Sequence, residues 1–156
     1  MRIRVLSITH KTPLWVQEGC LEYLKRFPST FKVELIDIPA GKRSKNADIA
    51  RIMLNEGEKL LHLIPSKHVV IALDVQGKSW PTEKFTRELA HYQEQGAVID
   101  LLIGGPDGLS SHCLDRATVC WSLSPLTFPH HLVKVIVLEQ LYRAWSILAR
   151  HPYHRG

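Results

Sequence analysis

The sequence predicts an α/β fold with a mostly parallel sheet and helices on both faces, and three observations predict it. Segments of period two and period 3.6 alternate from end to end. No internal repeat, low-complexity tract or interdomain linker interrupts them, so residues 1–156 read as a single domain. At 156 residues and 45% hydrophobic content, the chain is long enough and apolar enough to bury a core.

Arg2–Thr9 reads as the first strand. Thr12 and Pro13 supply an N-cap and a first-turn proline to a helix with Val16, Cys20, Tyr23, Leu24 and Phe27 on one face, closed by Pro28. Residues 31–38 form the second strand and residues 39–46 a polar loop. The next helix carries Ile49, Ile52, Met53, Leu60, Leu63 and Ile64, with Gly57 as a weak spot in its middle. Residues 68–75 form the third strand. Pro81 opens a helix burying Phe85, Leu89 and Tyr92, and residues 97–103 form the fourth strand. A short helix falls near residues 110–116, a fifth strand at 118–123 and a long helix at 132–149. That last helix is apolar nearly all round, so it must be covered on nearly every side. A second subunit is the simplest cover, and deep burial within the chain is the other.

The chain carries 20 Lys and Arg against 15 Asp and Glu, a net charge of +5 that favours a polyanionic partner. No apolar run approaches the roughly 20 residues of a membrane span. The N-terminal Met1-Arg2-Ile3-Arg4-Val5 enters strand alternation directly, unlike a signal peptide. Cys20, Cys113 and Cys120 are an odd set without CxxC spacing, which suits small buried hydrophobes in a reducing compartment. A cytoplasmic location is expected.

Ligands of open α/β sheets bind beyond the carboxyl ends of the strands. Three such ends carry suitable sequence: Leu73-Asp74-Val75-Gln76-Gly77-Lys78, Ile103-Gly104-Gly105-Pro106-Asp107-Gly108, and the run from Trp121 to His130. Glycines after a strand let backbone amides approach a ligand closely, although the same composition also makes tight turns. Neither GxGxxG nor GxxxxGK[ST] spacing is present, which argues against a nucleotide-dependent oxidoreductase.

The run Leu101-Leu102-Ile103-Gly104-Gly105-Pro106-Asp107-Gly108-Leu109-Ser110 resembles the bacterial large-subunit rRNA pseudouridine N3-methyltransferase family. So do Leu126-Thr127-Phe128-Pro129-His130, Leu141-Tyr142-Arg143-Ala144-Trp145-Ser146-Ile147 and His151-Pro152-Tyr153-His154-Arg155. Ile38-Pro39-Ala40-Gly41-Lys42-Arg43 and Asn46-Ala47-Asp48-Ile49 extend the likeness over essentially the whole chain. Asp107, His131 and Lys134 depart from it, standing where Glu, Pro and Arg are common. The resemblance implies a SPOUT methyltransferase with a carboxy-terminal trefoil knot, acting as a homodimer on ribosomal RNA with S-adenosylmethionine. It implies cofactor contacts at Leu73, Gly104, Leu123, Ser124, Pro125, Leu126, Thr127 and Phe128. Gly104→Val is then expected to abolish cofactor binding in an intact fold.

The N3 of a pseudouridine is a weakly acidic imide, so a base must take its proton as it attacks. His154 is the candidate, since histidine titrates near ~6.5. Tyr153 suits stacking on the base or hydrogen-bonding to it, and Arg143 or Arg155 suits a phosphate or developing imide charge. Lys42, Arg43 and Lys45, in a loop with Pro39, Gly41 and Asn46, are candidates for RNA phosphate contacts. Neither His130 with His131 nor His151 with His154 has a third ligand at a recognised spacing, so no metal is expected. The alternative to an enzyme is a non-catalytic ribosome-binding protein with a vestigial knotted fold.

Overall fold

A computed structural model describes residues 1–155; Gly156, the last residue of the expected domain, lies outside them. Strands β1 (Arg2–Thr9), β2 (Lys32–Pro39), β3 (Val69–Ser79), β4 (Val98–Ile103) and β5 (Val119–Ser122) form one sheet. The order is β2-β1-β4-β3-β5 and every pairing is parallel. Central β4 reads Val-Ile-Asp-Leu-Leu-Ile and is buried from Ile99 onward, as a strand covered on both faces requires. Edge strand β2 buries only Ile38 fully.

Strand alternation sorts the helices. Ile3, Val5, Ile71, Ile99 and Leu101 turn toward α1 (Leu14–Leu24), α3 (Thr82–Glu94) and α5 (His130–Leu148), meeting Val16, Phe85, Leu89 and Val137. Leu6, Ile8, Val70 and Leu102 turn the other way, onto Leu60 of α2 (Ile49–His62) and Cys113 of α4 (Ser111–Arg116). Asp100 is the charge inside β4. Arg4 Nε of β1 pairs with its carboxylate at 2.7 Å, and His68 Nδ1, just before β3, lies 2.8 Å from it.

The structure departs from the sequence reading at four places. Pro13, not Thr12, is the N-cap of α1, without a side-chain cap; the Thr12 carbonyl instead accepts from Gln17 Nε2 at 2.8 Å. Strand β3 continues past Val75 to Ser79, because a bulge between Leu73 and Lys78 restores its pairing with β5. Gly77 permits this: a Cβ there would sit 2.7 Å from the Cys120 carbonyl carbon. Gly57 is a packing site and not a weak spot, since a Cβ would collide with Ser110 Oγ and stop α2 approaching α4. Finally, α5 is flanked by α1 and α3, and no residue from His130 to Ile147 is exposed. Its apolarity is therefore met largely within the chain. Apolar surface stays open on α1, where Leu14, Trp15 and Leu21 are 68%, 56% and 63% exposed.

Cys20 and Cys113 are buried, Cys120 is half-buried, and burial raises all three thiols above their ordinary range. Among the described residues no helix is long and apolar enough to cross a membrane.

Candidate active site

The carboxyl ends of β3, β4 and β5 open onto a cleft of about 670 Å³. Leu73, Asp74 and Val75 form one wall, and the glycine loop from Gly104 to Leu109 forms another. The third is the loop after β5, with Leu123, Ser124, Leu126, Thr127 and Phe128. His130 and Val133, at the start of α5, complete it. Seven of the eight cofactor candidates thus share one cleft, while Pro125 is exposed and outside the lining.

Local sequence explains these loops. Gly108 has φ 84°, a conformation that favours glycine, and its N–H donates to the Gly105 carbonyl at 3.0 Å. The loop folds back so tightly that a Cβ on Gly104 would lie 2.7 Å from the Leu109 nitrogen and collide with the Gly108 backbone. Gly104→Val therefore disrupts the loop, contrary to the expectation of an intact fold. Ser122 and Ser124 fasten the other loop: Ser122 Oγ donates to the Ser124 carbonyl at 3.1 Å, and Ser124 Oγ accepts from Leu126 N–H at 3.0 Å. Trp121, stacked on Phe85 with ring centroids 4.2 Å apart, supports the cleft from below. Trp121 Nε1 and His130 Nε2, both on lining residues, are buried without a hydrogen-bond partner.

Arg43 ties the cleft together. Its Nε donates to Asp107 Oδ2 at 2.8 Å, and its other nitrogens reach Glu56 at 2.7 and 3.0 Å. Glu56, 2% exposed, also accepts from Gly41 N–H at 2.8 Å. The shorter Asp107 carboxylate thus reaches its partner. Of the three basic residues, Arg43 is thus held by two carboxylates, whereas Lys42 and Lys45 are exposed. Glu56 escaped the sequence reading. The signal was its place in the buried stripe Glu56, Leu60, Ile64, where an acid needs a partner.

Arg143, Tyr153 and His154 gather elsewhere. Arg150, at φ 56°, turns the chain back after α5, and Ser146 O accepts from His151 N–H at 2.8 Å. The 3₁₀ turn Pro152–Arg155 then packs against α5. Glu139 Oε1 accepts from Arg143 Nε at 2.9 Å and from the Tyr153 hydroxyl at 3.2 Å, an organising role absent from the sequence reading. The Arg143 guanidinium lies 5.1 Å from the Tyr153 ring centroid. Burial and the neighbouring Tyr23 hydroxyl push the Tyr153 phenol well above its ordinary range, so it serves as a proton donor in hydrogen bonds. His154 Nδ1 is 3.4 Å from Ser146 Oγ, and Arg155 is exposed. At 1.5 Å per residue, Arg143 lies about 20 Å along α5 from His130. One chain does not bring cleft and tail together.

Among the described residues no group of three or more His, Cys, Asp or Glu is placed to hold a metal ion. A family model described as predicted SPOUT methyltransferase matches residues 1–154. The chain belongs to the SPOUT methyltransferase family. Membership indicates S-adenosylmethionine-dependent methyl transfer, and the cleft suits that group. Its volume falls within the roughly 300–1,000 Å³ of cofactor pockets, its walls are largely apolar, and two ring nitrogens await partners.

Proposed function

We propose that this SPOUT methyltransferase modifies N3 of a pseudouridine in 23S ribosomal RNA. It acts as a cytoplasmic homodimer of single-domain chains, each with a carboxy-terminal trefoil knot. The observation that carries this reading is the union of seven resemblance-assigned residues in one cleft at the strand ends. The knot rests on the family resemblance; after edge strand β5 the chain returns through α5 to pack on β1 and β4. The open apolar face of α1 supports association. So does the length of α5 between cleft and tail, because a complete site then forms when one subunit's tail meets the other's cleft.

S-adenosylmethionine, when bound, would supply a sulfonium methyl group, the neutral thioether being left behind as N3 takes the methyl. Leu73, Leu123, Leu126 and Phe128 would hold the cofactor by apolar contact, with Gly104 leaving room for backbone approach. At the other side of the composite site, His154 takes the imide proton. Tyr153 hydrogen-bonds or stacks on the base. Arg143, held by Glu139, balances the charge that develops on the imide. Lys42, Lys45 and Arg155 contact RNA phosphates. Nucleoside analysis of 23S rRNA tests the reading: N3-methylpseudouridine disappears from cells lacking the gene and returns when it is restored. Its persistence without the gene overturns the assignment.

A further inference from the structure

The ends of β1 and β2 frame a second hollow, of about 430 Å³. Thr9, His10, Lys11 and Thr12 form one side, and Asp37, Pro39 and Ala40 the other. The first turn of α5 stands beside it, with His131 Nδ1 3.5 Å from Thr9 Oγ1. The same turn lines the main cleft through His130, whose ring centroid is 4.2 Å from that of His131. The start of α5 is thus shared by both hollows.

The charges here are asymmetric. Asp37 is the one carboxylate in the walls among the described residues, and its Oδ1 is paired at 2.9 Å with the ammonium of Lys134, itself 1% exposed. Lys11 and His10 are exposed, and among the described residues neither forms an ion pair. Burial, then repulsion from Lys134 and His10, holds His131 below the ordinary histidine range. An anion seated among these groups relieves that repulsion. Exposed Lys42 and Lys45 follow directly from Ala40 and prolong the basic surface.

We propose that this hollow binds a backbone phosphate of the RNA beside the target nucleotide, with Lys11, His10 and His131 as its donors. The identity of the ligand rests on the RNA substrate proposed above; the anion site itself does not. Phosphate contacts of this kind fix register without reading sequence, leaving the base free for the main cleft.

The test pairs two measurements on the full chain. His10→Gln combined with Lys11→Gln alters two exposed side chains, and cofactor affinity serves as the control. Affinity for a short oligoribonucleotide should fall about tenfold, and the salt slope should shrink by roughly 0.7 per lost contact. In the wild type, inorganic phosphate titrated against chloride at constant ionic strength should shift the His10 and His131 ring resonances, and the variant should abolish the shift. Phosphate shifts without any change in RNA affinity overturn the RNA assignment and leave a site for free phosphate. Absence of both effects overturns the site. A wild type that binds phosphate here but no RNA keeps the anion site and overturns the substrate proposed above.

Discussion

Arg43 and Asp107 face each other across 2.8 Å, joining the loop after β2 to the glycine loop after β4. The other side of the same guanidinium neutralises Glu56, which is 3% exposed in its side chain. One residue therefore supports the fold and one wall of the cleft together.

Arg43→Ala leaves the Glu56 carboxylate buried without its cation. Unfolding free energy should fall by about 3 kcal/mol, the usual cost of breaking a buried pair from one side. Urea denaturation measures this. Calorimetry should show weaker cofactor binding as well, because the Asp107 loop loses its tether. A stability loss under about 0.5 kcal/mol, typical of plain surface changes, contradicts this role.

Gly104 and Leu126 should separate loop integrity from ligand contact. Gly104→Ala forces its Cβ onto the backbone of Gly108 and Leu109, so stability should drop by roughly 1–3 kcal/mol, along with cofactor affinity. Leu126, 67% exposed on the lip of the cleft, has little to lose on folding. Leu126→Ala should reduce affinity with stability changed by less than about 0.5 kcal/mol. Equal stability losses in the two variants count against this division.

Histidines at the start of α5 should make stability depend on pH. Burial, reinforced by nearby cations, lowers His130 and His131 from their ordinary value of 6.5. The unfolded chain then binds protons that the folded chain refuses, so stability rises with pH in this window. The contribution is present above the unfolded value and is lost as pH falls through it toward the lowered values. Urea midpoints should decrease from about pH 7.5 to about pH 5.5, and His130→Gln should flatten the decline. Carboxylates titrate mostly below this range. A midpoint that is level over the window in the wild type refutes the effect.

A mixed dimer distinguishes a shared site from a self-contained one. One chain carries Leu126→Arg, which blocks its cleft, and the other is truncated after Pro152, which removes its tail. Each parent dimer should be inactive. If the tail crosses to the partner, the heterodimer regains one complete site and methylation reappears on mixing. Continued inactivity in a verified heterodimer with bound cofactor confines Tyr153 and His154 to their own subunit.

The sequence by itself determined the element order, the α/β class and the three strand ends that make the cleft. These follow from local physics: strand and helix periods differ, and glycines and prolines punctuate them. It also placed α5 and its terminal motif. The tertiary structure alone decided which polar groups became partners. Arg43 stood in a basic run, and only the approach of β4's loop and α2 made it an interior tie. Gly57 read as a helix defect until α4 came to rest against it. The apolar circumference of α5 pointed outward to a partner, yet α1 and α3 supply much of its cover, and apolar surface stays open at Leu14, Trp15 and Leu21 of α1. Glu139 became the organiser of Arg143 and Tyr153 only when Arg150 turned the tail back along the helix. Each of these depends on contacts between residues distant in sequence. Periodicity reports which face of an element is buried, but not which neighbour buries it.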